Sequence, residues 1–123
     1  MNIFRRIKNR LVNATRYSIA GFSAAWRNEE AFRFEAAAVL VLLPAAFWVG
    51  ETFQVRALLI GSCLLVMLVE LLNSAIEAVV DEVTAEYTEL AGRAKDLGSA
   101  AVMLSIFIAL AIWLGVMFDR WWS

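Results

Sequence analysis

The sequence has no histidine, and cysteine and proline each occur once in its 123 residues. Without imidazoles or paired thiolates, a zinc or other soft-metal site is excluded. Any metal held here is a hard cation bound by carboxylates. Cys63 has no second thiol to pair with, and within its apolar run it reads as a small filler. The six glycines form no Gly-x-x-x-x-Gly-Lys-Ser/Thr loop, so the common phosphate cradle is missing. Charge is missing over long stretches: 36–49, 57–69 and 97–118 carry none. A soluble domain is about 45–50% apolar, whereas this chain is 62% hydrophobic with a mean hydropathy of +0.69. An all-α integral membrane protein follows, with one domain over 1–123. So short a chain encloses little of a site alone, which makes an oligomer the expectation. No nucleic-acid partner is expected.

The net charge of −1 conceals an uneven distribution. Seven of the 11 basic residues fall in the first 33 positions: Arg5, Arg6, Lys8, Arg10, Arg16, Arg27 and Arg33. A basic start fits the cytoplasmic side of a membrane. It leads into an amphipathic stretch rather than a short apolar run with a cleavage site, so no signal peptide is expected. Over 1–28, Ile3, Phe4, Ile7, Leu11, Ala14, Ser18 and Phe22 recur at helical spacing, with basic residues mostly on other faces. This pattern suits a helix lying in the membrane interface, with a bend expected at Ala20-Gly21. A first helix is expected over 31–49, with Pro44 inside and Trp48 near its far end. Gly50-Glu51-Thr52 turns the chain, and Thr52 is an N-cap candidate. A second helix spans 53–86 and a third 94–118, joined by an acidic connection. Glu29 and Arg33, four residues apart, are expected to pair.

Glu70, Asn73, Glu77 and Asp81 end the second span. At about 100° per residue, these four fall within a sector of roughly 80° on one helix face. Carboxylates in hydrocarbon cost a few kcal/mol or more, so such a stripe faces a bundle interior, a cavity or a partner. A polar seam between helices is the structural alternative, particularly for Asn73 and Ser74. Three spans bring Glu29, Glu70, Glu77, Lys95, Asp96 and the N-terminal arginines to one membrane boundary. Carboxylates for Mg²⁺, cations for phosphate oxygens and a base for a hydroxyl are the parts of phosphoryl transfer.

Glu70-Leu-Leu-Asn73-Ser-Ala-Ile-Glu77-Ala-Val-Val-Asp81, then Glu86-Tyr87, then Glu89-Leu-Ala-Gly-Arg-Ala-Lys95-Asp96-Leu-Gly-Ser99, closely resembles the prokaryotic integral-membrane diacylglycerol kinases. The upstream segment from Ala24 to Glu35 resembles them too. The resemblance implies a homotrimer with three spanning helices and a surface helix per subunit, in the bacterial inner membrane. It implies composite sites on the cytoplasmic side that move the ATP γ-phosphoryl group to diacylglycerol, giving phosphatidic acid. On matching positions it makes Glu70 the catalytic base, with Asn73 beside it. It makes Glu29 and Glu77 the Mg²⁺ and ATP ligands. Arg10, Tyr17, Glu86, Tyr87, Lys95 and Asp96 become nucleotide contacts. For the lipid it implies Trp26 on the surface stretch, Ala31, Phe32, Arg33, Phe34, Glu35 and Trp48 on the first span, and Arg56, Glu70, Ser99 and Trp113 beyond. Asn13, Ala20 and Ser23 stand where the family often has basic residues, and Thr88 where it often has histidine. Two rivals remain at this point: an undecaprenol kinase of the same architecture, and a non-enzymatic ion-conducting oligomer lined by Glu70 and Glu77.

Overall fold

A computed structural model describes residues 2–123, and all the regular structure among them is helical. α1 spans Ile3–Asn28, α2 Glu30–Val49, α3 Phe53–Val83 and α4 Glu89–Trp121. Three of these, α2, α3 and α4, are long and apolar enough to cross a membrane. The chain is a multi-pass membrane protein. At 1.5 Å per residue, the 31 residues of α3 and 33 of α4 reach about 46 and 50 Å, well beyond a ~30 Å hydrocarbon core. Their surplus is polar: the end of α3 and the start of α4 form a headpiece beyond the apolar run.

Short polar side chains set the helix ends. Asn2 Oδ1 accepts from the Phe4 amide at 3.2 Å, Thr52 Oγ1 from Val55 at 3.2 Å, and Thr88 Oγ1 from Ala91 at 3.1 Å. Each satisfies an amide that has no partner in the first helical turn. The capping by Thr52 agrees with the sequence reading. Thr88 moves the start of the third span from the expected 94 to Glu89, and that helix runs on to Trp121 instead of 118. The second span ends at Val83 and not at 86. There Thr84 Oγ1 accepts from the Glu86 amide at 3.2 Å and donates to the Glu86 carbonyl at 3.1 Å, closing a tight turn. The chain stays helical through Ala20-Gly21, where a bend was expected. A lone helical glycine costs only about 1 kcal/mol, too little to break a long helix by itself.

α3 is the central element, packed against both α2 and α4, while α1 meets mainly the start of α2. The tightest packing lies where α2 ends and α3 begins. Ala46, Val49 and Leu59 are buried there, with Ile112, Trp113 and Val116 of α4 against them. Polar groups at this end are satisfied inside the chain. Trp113 Nε1 donates to Ser62 Oγ at 3.1 Å, and Ser62 Oγ donates to the Leu59 carbonyl at 2.7 Å. Arg56 Nε donates to the Gly50 carbonyl at 2.9 Å, and its guanidinium lies 5.5 Å from the Phe47 ring centroid. Arg120 reaches the Val49 carbonyl at 3.3 Å and Glu51 at 3.6 Å. Trp48 packs on Trp121 with centroids 5.3 Å apart. We call this the aromatic end, and the opposite headpiece the acidic end.

Candidate active site

The acidic end is built from the break between α1 and α2 and from one face of α3. Glu29 is the only residue between the two helices and has extended geometry, φ −116° and ψ 104°. The expected Glu29–Arg33 pair therefore does not form, because four-residue spacing brings side chains together only on a continuous helix. Arg33 instead folds back over the end of α1. Its Nη1 donates to the Trp26 carbonyl at 2.7 Å and the Arg27 carbonyl at 3.3 Å. Those carbonyls have no helical partner and sit at the negative end of the helix dipole, so a guanidinium suits them. Arg33 thus acts as a clasp that fixes the corner from which Glu29 projects. Glu29 is half-buried and stands at the edge of an open groove of about 630 Å³ between α1 and α3.

Across that groove, α3 carries the polar stripe. Glu70 is 7% exposed and Asn73 9%, while Glu77 is half-buried. Glu70 lies within Coulombic reach of both Glu77 and Glu29, and Glu35 within reach of Glu70. Asn73 Nδ2 donates a long bond of 3.4 Å to Glu77 Oε1. Two buried oxygens, Glu35 Oε2 and Asn73 Oδ1, have no hydrogen-bond partner. Carboxylates within Coulombic reach of one another, with two buried oxygens unsatisfied, favour a compensating charge or donor at this end.

Two cavities flank the stripe. The first, about 310 Å³, lies where α3 hands over to α4 and is lined by Asp81, Thr84, Glu86, Tyr87, Lys95 and Asp96. It unites the four nucleotide contacts implied on this part of the chain. Lys95 Nζ lies 2.7 Å from Asp81 Oδ1. Tyr87 folds over Gly92, where an added Cβ would stand 2.7 Å from the ring. The second cavity, about 420 Å³, runs between α2, α3 and α4, from Glu35 past Val66 and Ile106 to Trp113. Its lining is almost wholly apolar apart from the Glu35 carboxyl.

The implied site residues therefore separate into groups. Glu29, Glu35, Glu70, Asn73 and Glu77 come together, and Glu86, Tyr87, Lys95 and Asp96 share the adjoining cavity. Trp26, Ala31, Phe32, Arg33 and Phe34 surround the corner, with Phe32 buried and Phe34 exposed. Ser99 is exposed, one residue beyond the close contact of α4 with Asn73. Trp113 reaches the group only through the apolar cavity. Trp48 and Arg56 stay at the aromatic end; Arg56 is about 21 Å from Glu70 along α3, at 1.5 Å per residue. Arg10 and Tyr17 are exposed on α1, about 28 and 18 Å along that helix from Glu29 at the same rise. Sequence reasoning placed Asp81 on the stripe but missed its ion pair with Lys95. The signal was present: opposite charges near the facing ends of two antiparallel helices joined by a short link.

The donors present are carboxylate and amide oxygens. No group of three or more histidine, cysteine or acidic residues poised to cage a metal is found among the described residues. That pattern fits Mg²⁺, which is typically held by one or two carboxylates with substrate phosphates and water completing its shell.

Comparison with known proteins identifies the family. The family model described as prokaryotic diacylglycerol kinase matches residues 16–117. The chain is 54% identical over 104 residues to a diacylglycerol kinase of Escherichia coli, covering 85% of each chain. It is 49% identical over 104 residues to one of Pseudomonas aeruginosa, again covering 85% of each. Against one of Haemophilus influenzae it is 48% identical over 108 residues, covering 88% of this chain and 92% of the relative. With the match spanning all three membrane helices and both flanks of the acidic stripe, the chain belongs to the prokaryotic diacylglycerol kinase family.

Proposed function

We propose that this protein is an ATP-dependent diacylglycerol kinase whose general base is Glu70. The observation that carries the mechanism is a nearly buried carboxylate on a membrane-spanning helix, set beside two further carboxylates, with a cavity that holds the Lys95 ammonium at the end of the same helix. The hydroxyl of diacylglycerol gives its proton to Glu70 as its oxygen attacks the γ-phosphorus. The bond from that phosphorus to the β,γ-bridging oxygen breaks, and ADP leaves. Glu29 and Glu77 would hold Mg²⁺, which supplies charge neutralisation at the triphosphate when bound. Lys95 exchanges Asp81 for phosphate oxygens, while Glu86, Tyr87 and Asp96 line the nucleotide's place. The apolar cavity beneath Glu35 takes acyl chain, so the headgroup stays near Glu70.

The working form is a homotrimer in the bacterial inner membrane, with the acidic end in the cytoplasm. Two features support this. Only 11–22% of the apolar windows in the three spans is buried within one copy. Arg10 and Tyr17 are exposed along α1, where a neighbouring copy can reach them.

The test is transfer of labelled phosphate from Mg·ATP to a panel of lipid alcohols by the purified protein in lipid-detergent micelles. Short-chain diacylglycerol is the preferred acceptor. Faster transfer to a polyprenol would reassign the substrate, and ion conduction without transfer would make the protein a channel.

A further inference from the structure

Gly98 stands where α4 crosses the acidic stripe. Its backbone needs nothing special, since no glycine in the chain has positive φ. What it supplies is space. A Cβ built on Gly98 collides with Asn73 Oδ1 and lies 3.3 Å from Asn73 Cγ. Among the six glycines this is the tightest approach, and it falls on a side chain that is itself packed in. The orientation of that carboxamide follows from its other neighbour. Glu77 offers only acceptors, so the NH₂ of Asn73 must face it, as the 3.4 Å bond records. The carbonyl oxygen then points at α4, where it has no N–H or O–H partner. Only a hydrogen on Cα fits between, and a Cα–H···O contact is the sole interaction left to that oxygen.

We propose that Gly98 is a positioning residue for the phosphoryl-transfer site: it seats the Asn73 carboxamide, which in turn aims the Glu77 carboxylate at Mg·ATP. The inference rests on the functional reading above. Any side chain at 98 moves Asn73 out of its seat. Glu77 then loses its only side-chain donor among the described residues, and the carboxylate is free to turn toward Lys95. Gly98 touches neither substrate nor nucleotide, so its effect is transmitted entirely through residue 73. A packing role alone would instead lower the amount of folded protein and leave ligand affinity intact.

The experiment measures Mg²⁺-dependent binding of a non-hydrolysable ATP analogue to purified protein in lipid micelles, normalised to folded protein. Turnover on diacylglycerol is measured alongside. Gly98→Ala is expected to weaken Mg²⁺-dependent binding by about tenfold or more, the usual loss when an outer-shell partner goes. Binding in EDTA stays unchanged. A folded Gly98→Ala with wild-type Mg²⁺-dependent affinity would overturn the inference. Should Gly98→Ala not fold, Asn73→Ala and the double variant Gly98→Ala/Asn73→Ala decide the matter, because removing the carboxamide removes the collision. Equal affinity in those two supports transmission through Asn73. A double variant more than about threefold weaker than Asn73→Ala overturns it, since that gap exceeds the scatter of independent sites. A wild-type protein that transfers no phosphate removes the functional reading and this inference together. A competent wild type with an indifferent Gly98→Ala removes the inference alone.

Discussion

The two ends of the bundle treat polar groups in opposite ways. At the aromatic end, Arg56, Arg120 and the Trp113 indole each find a partner within the chain, over a small core of Ala46, Val49 and Leu59. At the acidic end, Glu70 is buried among like charges while Glu35 and Asn73 keep unsatisfied oxygens. Helices in lipid gain little from hydrophobic burial, so packing and internal hydrogen bonds hold them together. The aromatic end has both. The acidic end has weaker cohesion and chemistry that is incomplete until ligands arrive. Such a division is expected where function requires charges that stability opposes.

The largest effect should come from the acidic end. Glu70→Gln removes the proposed base and is expected to cut phosphoryl transfer by at least about 100-fold, the scale of general-base catalysis. Binding of Mg·ATP should persist, because the amide keeps the shape of the carboxyl. The same change removes one of several crowded negative charges, so the thermal midpoint should rise. Transfer that survives undiminished would sink the mechanism. A lower midpoint would show that the acidic end is not the strained one.

The opposite pattern is expected from Leu59→Ala. Leu59 is fully buried at the aromatic end. Its truncation leaves a cavity and should cost about 2 kcal/mol, the low end of the range for core leucines, because lipid already offers the unfolded helix an apolar surrounding. Turnover per folded molecule should not change. Unfolding in a denaturing detergent, read beside specific activity, separates the two quantities. Trp113→Phe is milder: it deletes the bond to Ser62 and should cost about 0.6 kcal/mol, typical of hydrogen bonds between membrane helices. Trp113 also lines the apolar cavity. A shift in acyl-chain preference should therefore accompany the small loss of stability.

How far the sequence revealed this division depends on range. The three spans and the α3 stripe were legible, because charge-free runs and helical spacing are local signals. The family resemblance supplied the candidate chemistry. Helix ends were less legible: Thr84 and Thr88 moved boundaries by three to five residues through single side-chain bonds. Arg33 was misassigned because its true partners, the α1 carbonyls, become acceptors only where the helix breaks at Glu29. That Gly98 meets Asn73 in particular required the crossing of α3 and α4. Trp48 and Arg56, grouped with the lipid contacts by resemblance, stand at the aromatic end, with Arg56 about 21 Å along α3 from Glu70 at 1.5 Å per residue.

The smallest effect expected is from Asp81→Asn, and it tests whether the acidic end can be relaxed without being broken. Asp81 pairs with Lys95 at 2.7 Å, but their side chains are 64% and 45% exposed. An exposed ion pair contributes about 0–1 kcal/mol, so the thermal midpoint should hardly move. The consequence for nucleotide is different in sign. In the ligand-free chain Asp81 occupies the ammonium that phosphate oxygens are proposed to use. Neutralising Asp81 removes that competitor and one negative charge facing the triphosphate. The KM for ATP should fall by about twofold, with the difference shrinking as salt screens the remaining charges. A KM that rises instead would mean Asp81 aims Lys95 at the phosphates rather than competing for it. The ion pair would then belong with the organised contacts of the aromatic end, and the contrast between the two ends would narrow.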